Sequence, residues 1–190
     1  GRPGLITQDE MAYIFEVAEK NTHGHSALAS VVPQWFSLPH QINATLPNIV
    51  ANDTAYFAMR AVQFFLPGEP QVYYVGLLNG MDDRELFART AQGRDTNRHN
   101  YTVAEIHEAL EQPVTRGIIA LARLRKHNAF EGSFSWAVLG NDRIELRWDN
   151  DDDFVSLEIT TTVDAPAVCI KASSASGVRE FCSVEEFGAY

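Results

Sequence analysis

The sequence is poor in cysteine, in cations and in long apolar runs. Only Cys169 and Cys182 occur in its 190 residues, both late in the chain. They lack the paired spacing of a zinc site, and a reduced cytosolic pair is the default expectation. Basic residues number 15 against 25 acidic ones, giving a net charge of −10. That balance disfavours nucleic acid and anionic membrane as partners. No run approaches the ~18 consecutive apolar residues of a membrane span. No signal peptide opens the chain, and a cytoplasmic location is expected. Internal repeats and low-complexity segments are absent. The chain starts at Gly1 without a methionine, which fits a portion of a longer protein.

The first half reads as helices joined by long loops. Thr7-Gln-Asp-Glu10 is a capping box, and its helix runs to about Lys20. Asn21 to Asn48 lacks sustained periodicity and holds Gly24, Pro33, Pro39 and Pro47, so it reads as a long loop. Its Trp35 and Phe36 sit among polar residues, suiting either a sugar-facing surface or anchors for the loop. Asn21-Thr-His-Gly-His25 resembles a metal pair only superficially, with no cysteine or carboxylate cluster beside it. Asp53 caps a second helix, Thr54 to Leu66, which is apolar on most sides and therefore buried on more than one. Pro67-Gly68 ends it. Gln71 to Val75 is apolar, β-rich and too short for a helix, so it reads as a buried parallel strand with Tyr73 and Tyr74 in the core. A polar loop of about 25 residues follows, a length often functional in enzymes. It carries Arg89, Arg94 and Arg98. Asp95 and Arg98 form a candidate local ion pair, and His99 reads as a loop-packing histidine.

Further on, Thr102-Val-Ala-Glu105 opens a short helix, and Pro113 fits the first turn of the next, Val114 to His127. Arg123, Arg125 and Lys126 fall in its last turn, where the helix dipole favours cations. From Ser133 the pattern alternates. Ser133–Leu139, Arg143–Trp148, Phe154–Thr161 and Ala167–Ala172 read as strands of a small antiparallel β domain. Gly140-Asn-Asp142 and the acidic Asp149-Asn-Asp-Asp-Asp153 read as turns. The acidic turn lacks the calcium-loop pattern and reads as solvated.

Three dispersed motifs carry a family resemblance. H-Q-I-N-A-T (His40–Thr45), P-G-E-P-Q-V-Y-Y-V-G-L-L-N-G (Pro67–Gly80) and G-R-D-T-N-R-H (Gly93–His99) occur in this order. They closely resemble sucrose phosphorylase and its near relatives, retaining α-glucoside phosphorylases of the α-amylase superfamily, glycoside hydrolase family 13. The resemblance covers roughly Leu5 to Trp136 and fades beyond. It implies the C-terminal part of a (β/α)8 TIM barrel followed by an antiparallel β-sheet domain, an α/β plus β architecture. A complete barrel usually needs about 250 residues. The expected division is 1–131 for the end of the barrel with its long substrate-side loops, and 132–190 for the β domain.

Retaining glycoside chemistry needs two carboxylates at the anomeric carbon, one a nucleophile and one an acid/base. In the resembling family these lie on earlier barrel strands, and none of those motifs occurs here. No catalytic residue is therefore assigned, and the chain alone is expected to be inactive. The resemblance assigns binding residues instead. Arg94 matches the arginine that reaches the glucosyl unit, a role that suits a planar five-donor fork. Gln41 and Asn43 retain the family's Gln-x-Asn. Leu38 and His40 stand where sucrose phosphorylases carry an Asp and a Tyr, on a loop that rearranges between fructose-bound and phosphate-bound states. That departure puts fructose as acceptor in question and opens fructose 6-phosphate or glycerol. The implied partners are a small sugar and inorganic phosphate as co-substrate. No metal or organic cofactor is implied, and a homodimer of the intact enzyme is left open. The alternative of another class is a non-catalytic sugar-binding or structural module. The isolated chain is expected to fold poorly, because its barrel-like half holds one strand without neighbours.

Overall fold

The computed structural model describes residues 4–30, 41–162 and 166–190. Two compact units divide the chain. One comprises Gly1–Ala51 and Tyr74–Thr102, the other Asn52–Tyr73 and Val103–Tyr190.

The first unit is helical and irregular. Its opening helix α1, Gln8–Asn21, has the expected capping box: Thr7 accepts from the Glu10 amide, and Glu10 accepts from the Thr7 amide. The region expected as one long loop contains two short helices, α2 (His25–Ala29) and α3 (Leu46–Val50). α2 starts from Gly24, whose positive φ of 81° permits the sharp entry. α3 is started by Thr45 and Pro47, an N-cap and an early-helix proline. Such short helices escape periodicity analysis because they span barely a turn. Trp35 and Phe36 lie outside the described residues.

The run expected as a buried strand, Gln71–Val75, is not one. Residues 71–73 are irregular, and Tyr74–Leu77 form a single helical turn, α5. A parallel strand exists only through neighbours that take its backbone hydrogen bonds, and no neighbour stands beside it among the described residues. Tyr73 and Tyr74, expected in the core, are 51% and 39% exposed, while Val75 is fully buried. The following arginine-bearing loop is half helical: α6 spans Arg84–Thr90, and a 3₁₀ turn spans Gly93–Asn97.

The second unit is built on a five-stranded antiparallel meander, in the order β1 (Ser133–Val138), β2 (Arg143–Asn150), β3 (Asp153–Thr160), β4 (Ala167–Ser174) and β5 (Gly177–Phe181). Register rows such as Trp136–Leu146–Leu157–Ile170–Phe181 lie on one face, following the period-2 alternation of strands. α4 (Asp53–Phe65), capped by Asn52 rather than Asp53, packs on strands β2 to β4. α7 (Val103–Glu111) leads into α8 (Pro113–Leu124), which packs on α4 and on the last helix α9 (Val184–Gly188). Phe57, Phe65, Leu157, Ile170 and Phe187 are among the fully buried side chains. Arg125 spreads over the Phe130 and Trp148 rings and donates to the Gly68 carbonyl, so it is part of the packing. β5 and α9 are elements the sequence pattern did not show.

Cys169 and Cys182 are joined as a disulfide, contrary to the expected reduced pair. The cause is register. The β4–β5 ladder pairs Ile170 with Phe181, so the next step sets Cys169 opposite Cys182. Spacing along the chain does not reveal a cross-strand pair when the second strand itself goes unrecognised.

Candidate functional site

In the first unit, three of the five predicted binding residues, Gln41, Asn43 and Arg94, lie near one glycine. A Cβ on Gly93 would run into the Ala29 carbonyl and the Asn43 side-chain amide. Glycine therefore allows the 3₁₀ turn to lie directly on Asn43. Asn43 is tied down in turn: its Nδ2 donates to the Ala29 carbonyl at 2.7 Å, and its amide donates to Ser30 Oγ at 3.1 Å. Gln41 Nε2 donates to Asn43 Oδ1 at 3.0 Å. Arg94 follows Gly93 and is exposed. Among the described residues its guanidinium has no hydrogen-bond or ion-pair partner. Gln41, Asn43 and the Arg94 turn are thus brought together, with Asn43 as the part that fixes backbone. Leu38 and His40, predicted for the acceptor side, lie outside the described residues.

A polar cluster braces the same turn from below. Thr96 is fully buried; its Oγ1 is 3.0 Å from His25 Nε2, and its carbonyl accepts from the Asp83 amide at 2.8 Å. The His25 ring meets the Phe87 ring edge-on, with centroids 5.2 Å apart. Burial holds the His25 pKa below its ordinary value, against the nearby Asp82 charge. His25 is therefore a packed, neutral-favouring histidine. Asp95 and Arg98 form the expected local ion pair, at 3.7 Å.

Sequence reasoning missed a carboxylate pair, Asp82 and Asp83. Asp83 caps α6, accepting from the Leu86 amide at 2.7 Å, and its second oxygen lies 2.7 Å from His99 Nδ1. Burial pushes its pKa up, but the Leu86 amide, His99 and Arg89 together outweigh this and hold it below the usual carboxylate range. Asp82 Oδ1 accepts from the Thr45 amide at 2.6 Å; its buried Oδ2 has no hydrogen-bond partner among the described residues, and burial raises its pKa. An N-cap signature before α6 was the available signal for Asp83. For Asp82 there was none. Asp82, Asp83, Arg84, Arg89, His99 and Tyr101 line an open groove of about 590 Å³. His99 also packs edge-on against Tyr101, at 4.6 Å, and its carbonyl accepts from the Tyr74 hydroxyl, consistent with the loop-packing role. Arg94, Gln41 and Asn43 do not line this groove.

No helix among the described residues is long and apolar enough to cross a membrane. No family model matches the chain. Individual proteins do. A sucrose phosphorylase of Bifidobacterium adolescentis is 42% identical over 147 residues, which is 76% of this chain and 29% of that protein. A sucrose phosphorylase of Agrobacterium vitis is 37% identical over 183 residues, 95% of this chain and 36% of that protein. The crystal structure of sucrose 6F-phosphate phosphorylase from Thermoanaerobacter thermosaccharolyticum matches with a TM-score of 0.85 at 33% identity, covering 95% of this chain and 37% of that one. The chain spans about a third of the length of the relatives it matches. The match supports the expected fold class, C-terminal elements of a TIM-barrel enzyme together with an antiparallel sheet. By sequence and by fold, the chain corresponds to the C-terminal portion of the sucrose phosphorylases and their close relatives.

Proposed function

We propose that this chain is the glucosyl- and acceptor-binding portion of an enzyme that makes α-glucose 1-phosphate from an α-glucoside and inorganic phosphate. The observation that carries the reading is the exposed Arg94, presented on a turn that Gly93 seats against Asn43. The planar fork of an arginine can hold two sugar hydroxyls. Gln41, bonded to the Asn43 on which that turn lies, adds a neutral donor and acceptor. Residues 1–131 would complete the barrel, and 132–190 would form the C-terminal β domain. The nucleophile and acid/base would come from barrel strands outside this chain, so the 190 residues alone would not turn over substrate. Phosphate is the co-substrate, and the chemistry asks for no metal or organic cofactor.

The acceptor follows from Leu38 and His40. A histidine at this place supplies a donor, and a cation as pH falls, to an acceptor phosphate. A leucine there would line a drier pocket, which suits a small polyol such as glycerol. His40 thus favours fructose 6-phosphate and Leu38 favours glycerol, both in place of fructose. In the complete protein, His40→Ala should weaken use of a phosphorylated acceptor far more than use of glycerol; equal loss on both would end the phosphate-contact reading.

The test of the function is glucose 1-phosphate release by the complete protein in phosphate buffer. Sucrose, sucrose 6'-phosphate and glucosylglycerol would be offered side by side, with the 190-residue chain as control. Product with the complete protein and none from the control is the expected result. Silence on all three substrates, or turnover by the control, would reject the proposal.

A further inference from the structure

The solvent face of the sheet carries a compact group at its β4–β5 edge. Lys171 pairs with Glu180, and Cys169 faces Cys182, so these four side chains share one face of two adjacent strands. Glu180 Oε1 lies 3.3 Å from Cys169 Sγ and 3.8 Å from Cys182 Sγ. Among the described residues this is the one group of three or more metal-ligating side chains whose donor atoms all fall within 4.8 Å of one another. On a tetrahedral zinc ion, bond lengths of ~2.3 Å to sulfur and ~2.1 Å to oxygen set a sulfur–oxygen edge of ~3.6 Å. The two observed separations bracket that edge. The carboxylate is already where a metal ligand would stand, and only the two sulfurs must part.

We propose that Cys169, Cys182 and Glu180 form a redox-gated site for a thiophilic divalent cation, closed while the disulfide stands and opened by its reduction. Reduction by a dithiol or a phosphine breaks the sulfur–sulfur bond. Two electrons and two protons enter, leaving two thiols; the reductant leaves as its own disulfide, or as a phosphine oxide with oxygen from water. Cation binding then releases two protons as the thiols become thiolates. Rotation of the cysteine side chains from bonding distance to the ~3.8 Å sulfur–sulfur edge of a tetrahedral site completes the set.

Lys171 has two effects. Its ammonium holds Glu180 Oε1 at 3.1 Å, aimed at the sulfurs, and offsets the carboxylate's opposition to thiolate once the bridge opens. It must also yield to the incoming cation. Being 43% exposed, it can swing into water. Two thiolates and one carboxylate select zinc or cadmium over magnesium or calcium. The fourth position is open to water.

The complete protein provides the test, with Cys169→Ser as the control for any other thiols. It would be reduced with a trialkylphosphine, checked for retained sheet by far-UV circular dichroism, and titrated with cobalt(II). A thiolate-to-cobalt charge-transfer band in the near ultraviolet is expected from the reduced chain, bleached by zinc, and absent from the oxidised chain. Glu180→Gln should lower cobalt affinity at least about tenfold, since even loss of an outer-shell partner costs that much. The proposal is overturned by a reduced, folded chain without the band, or by loss of the sheet signal on reduction. It is equally overturned if Glu180→Gln binds as tightly as the parent, because the thiols alone would then explain the signal.

Discussion

At the residue scale, the first unit depends on groups whose protonation the fold has shifted. His25 is held below its ordinary pKa near 6.5 by burial, with Asp82 opposing and Arg84 assisting. The folded unit therefore favours neutral His25, and its stability contribution is complete above pH 6.5 and lost as pH falls toward the depressed value. Asp82 has the opposite sense: burial raises it, so its ionised form strains the fold at neutral pH and protonation relieves that strain in acid. His25→Gln keeps a donor for Thr96 and removes the titration. Melting curves recorded from about pH 7.5 to 5 should fall more steeply for the parent than for the variant. Parallel curves would mean that His25 titrates as freely in the fold as outside it. The same scale explains what the sequence hid. Arg94 was singled out by its motif and stands exposed on its turn, whereas Asp82 and Thr96 matter through burial and through partners distant in sequence.

At the element scale, legibility followed the strength of the local signal. α1 was found because Thr7 and Glu10 form both halves of its cap, and four strands were found because each alternates over six to eight residues. β5 was missed because Gly177–Phe181 is short and exposed except for Phe181. Gln71–Val75 misled because an apolar β-rich run specifies a strand only when other strands flank it. The tie between α4 and the sheet is equally non-local. Trp148 Nε1, buried in β2, donates to the Phe65 carbonyl at the end of α4 at 2.6 Å. That carbonyl is one of the last of its helix, and helix-end carbonyls need such partners. Trp148→Phe keeps much of the ring packing and removes the donor. It should destabilise by about 1–3 kcal/mol in urea titrations, the cost of an orphaned buried acceptor. A change under about 0.5 kcal/mol, the usual size of a surface effect, would show that water reaches the carbonyl.

At the scale of the whole molecule, the two units are filled with different material. Among the described residues, the buried side chains of the first unit are Ala18, Ala29, Pro47 and Val75 on the apolar side, against Thr22, His25, Ser26, Thr45, Asn48 and Thr96 on the polar side. The second unit buries Phe57, Phe65, Ile118, Leu121, Leu124, Val155, Leu157, Ile170 and Phe187, with Thr115 and Ser156 as its buried polar side chains. Apolar burial supplies most folding free energy, at about 25 cal/mol per Å², while a net hydrogen bond adds about 1 kcal/mol and depends on staying fully satisfied. The second unit thus holds a core of its own, and the first is a hydrogen-bonded shell around its loops. Such a shell suits the sugar-binding role proposed for these loops, since locally unstable segments are where binding elements are drawn from. Amide hydrogen exchange on the 190-residue chain should reveal the difference. Amides in β2, β3 and β4 should exchange only through opening of the second unit as a whole, and those of α1, α2 and α6 through much cheaper local opening. Protection in α1 equal to that in β3 would show that polar burial alone holds the first unit as firmly as an apolar core holds the second.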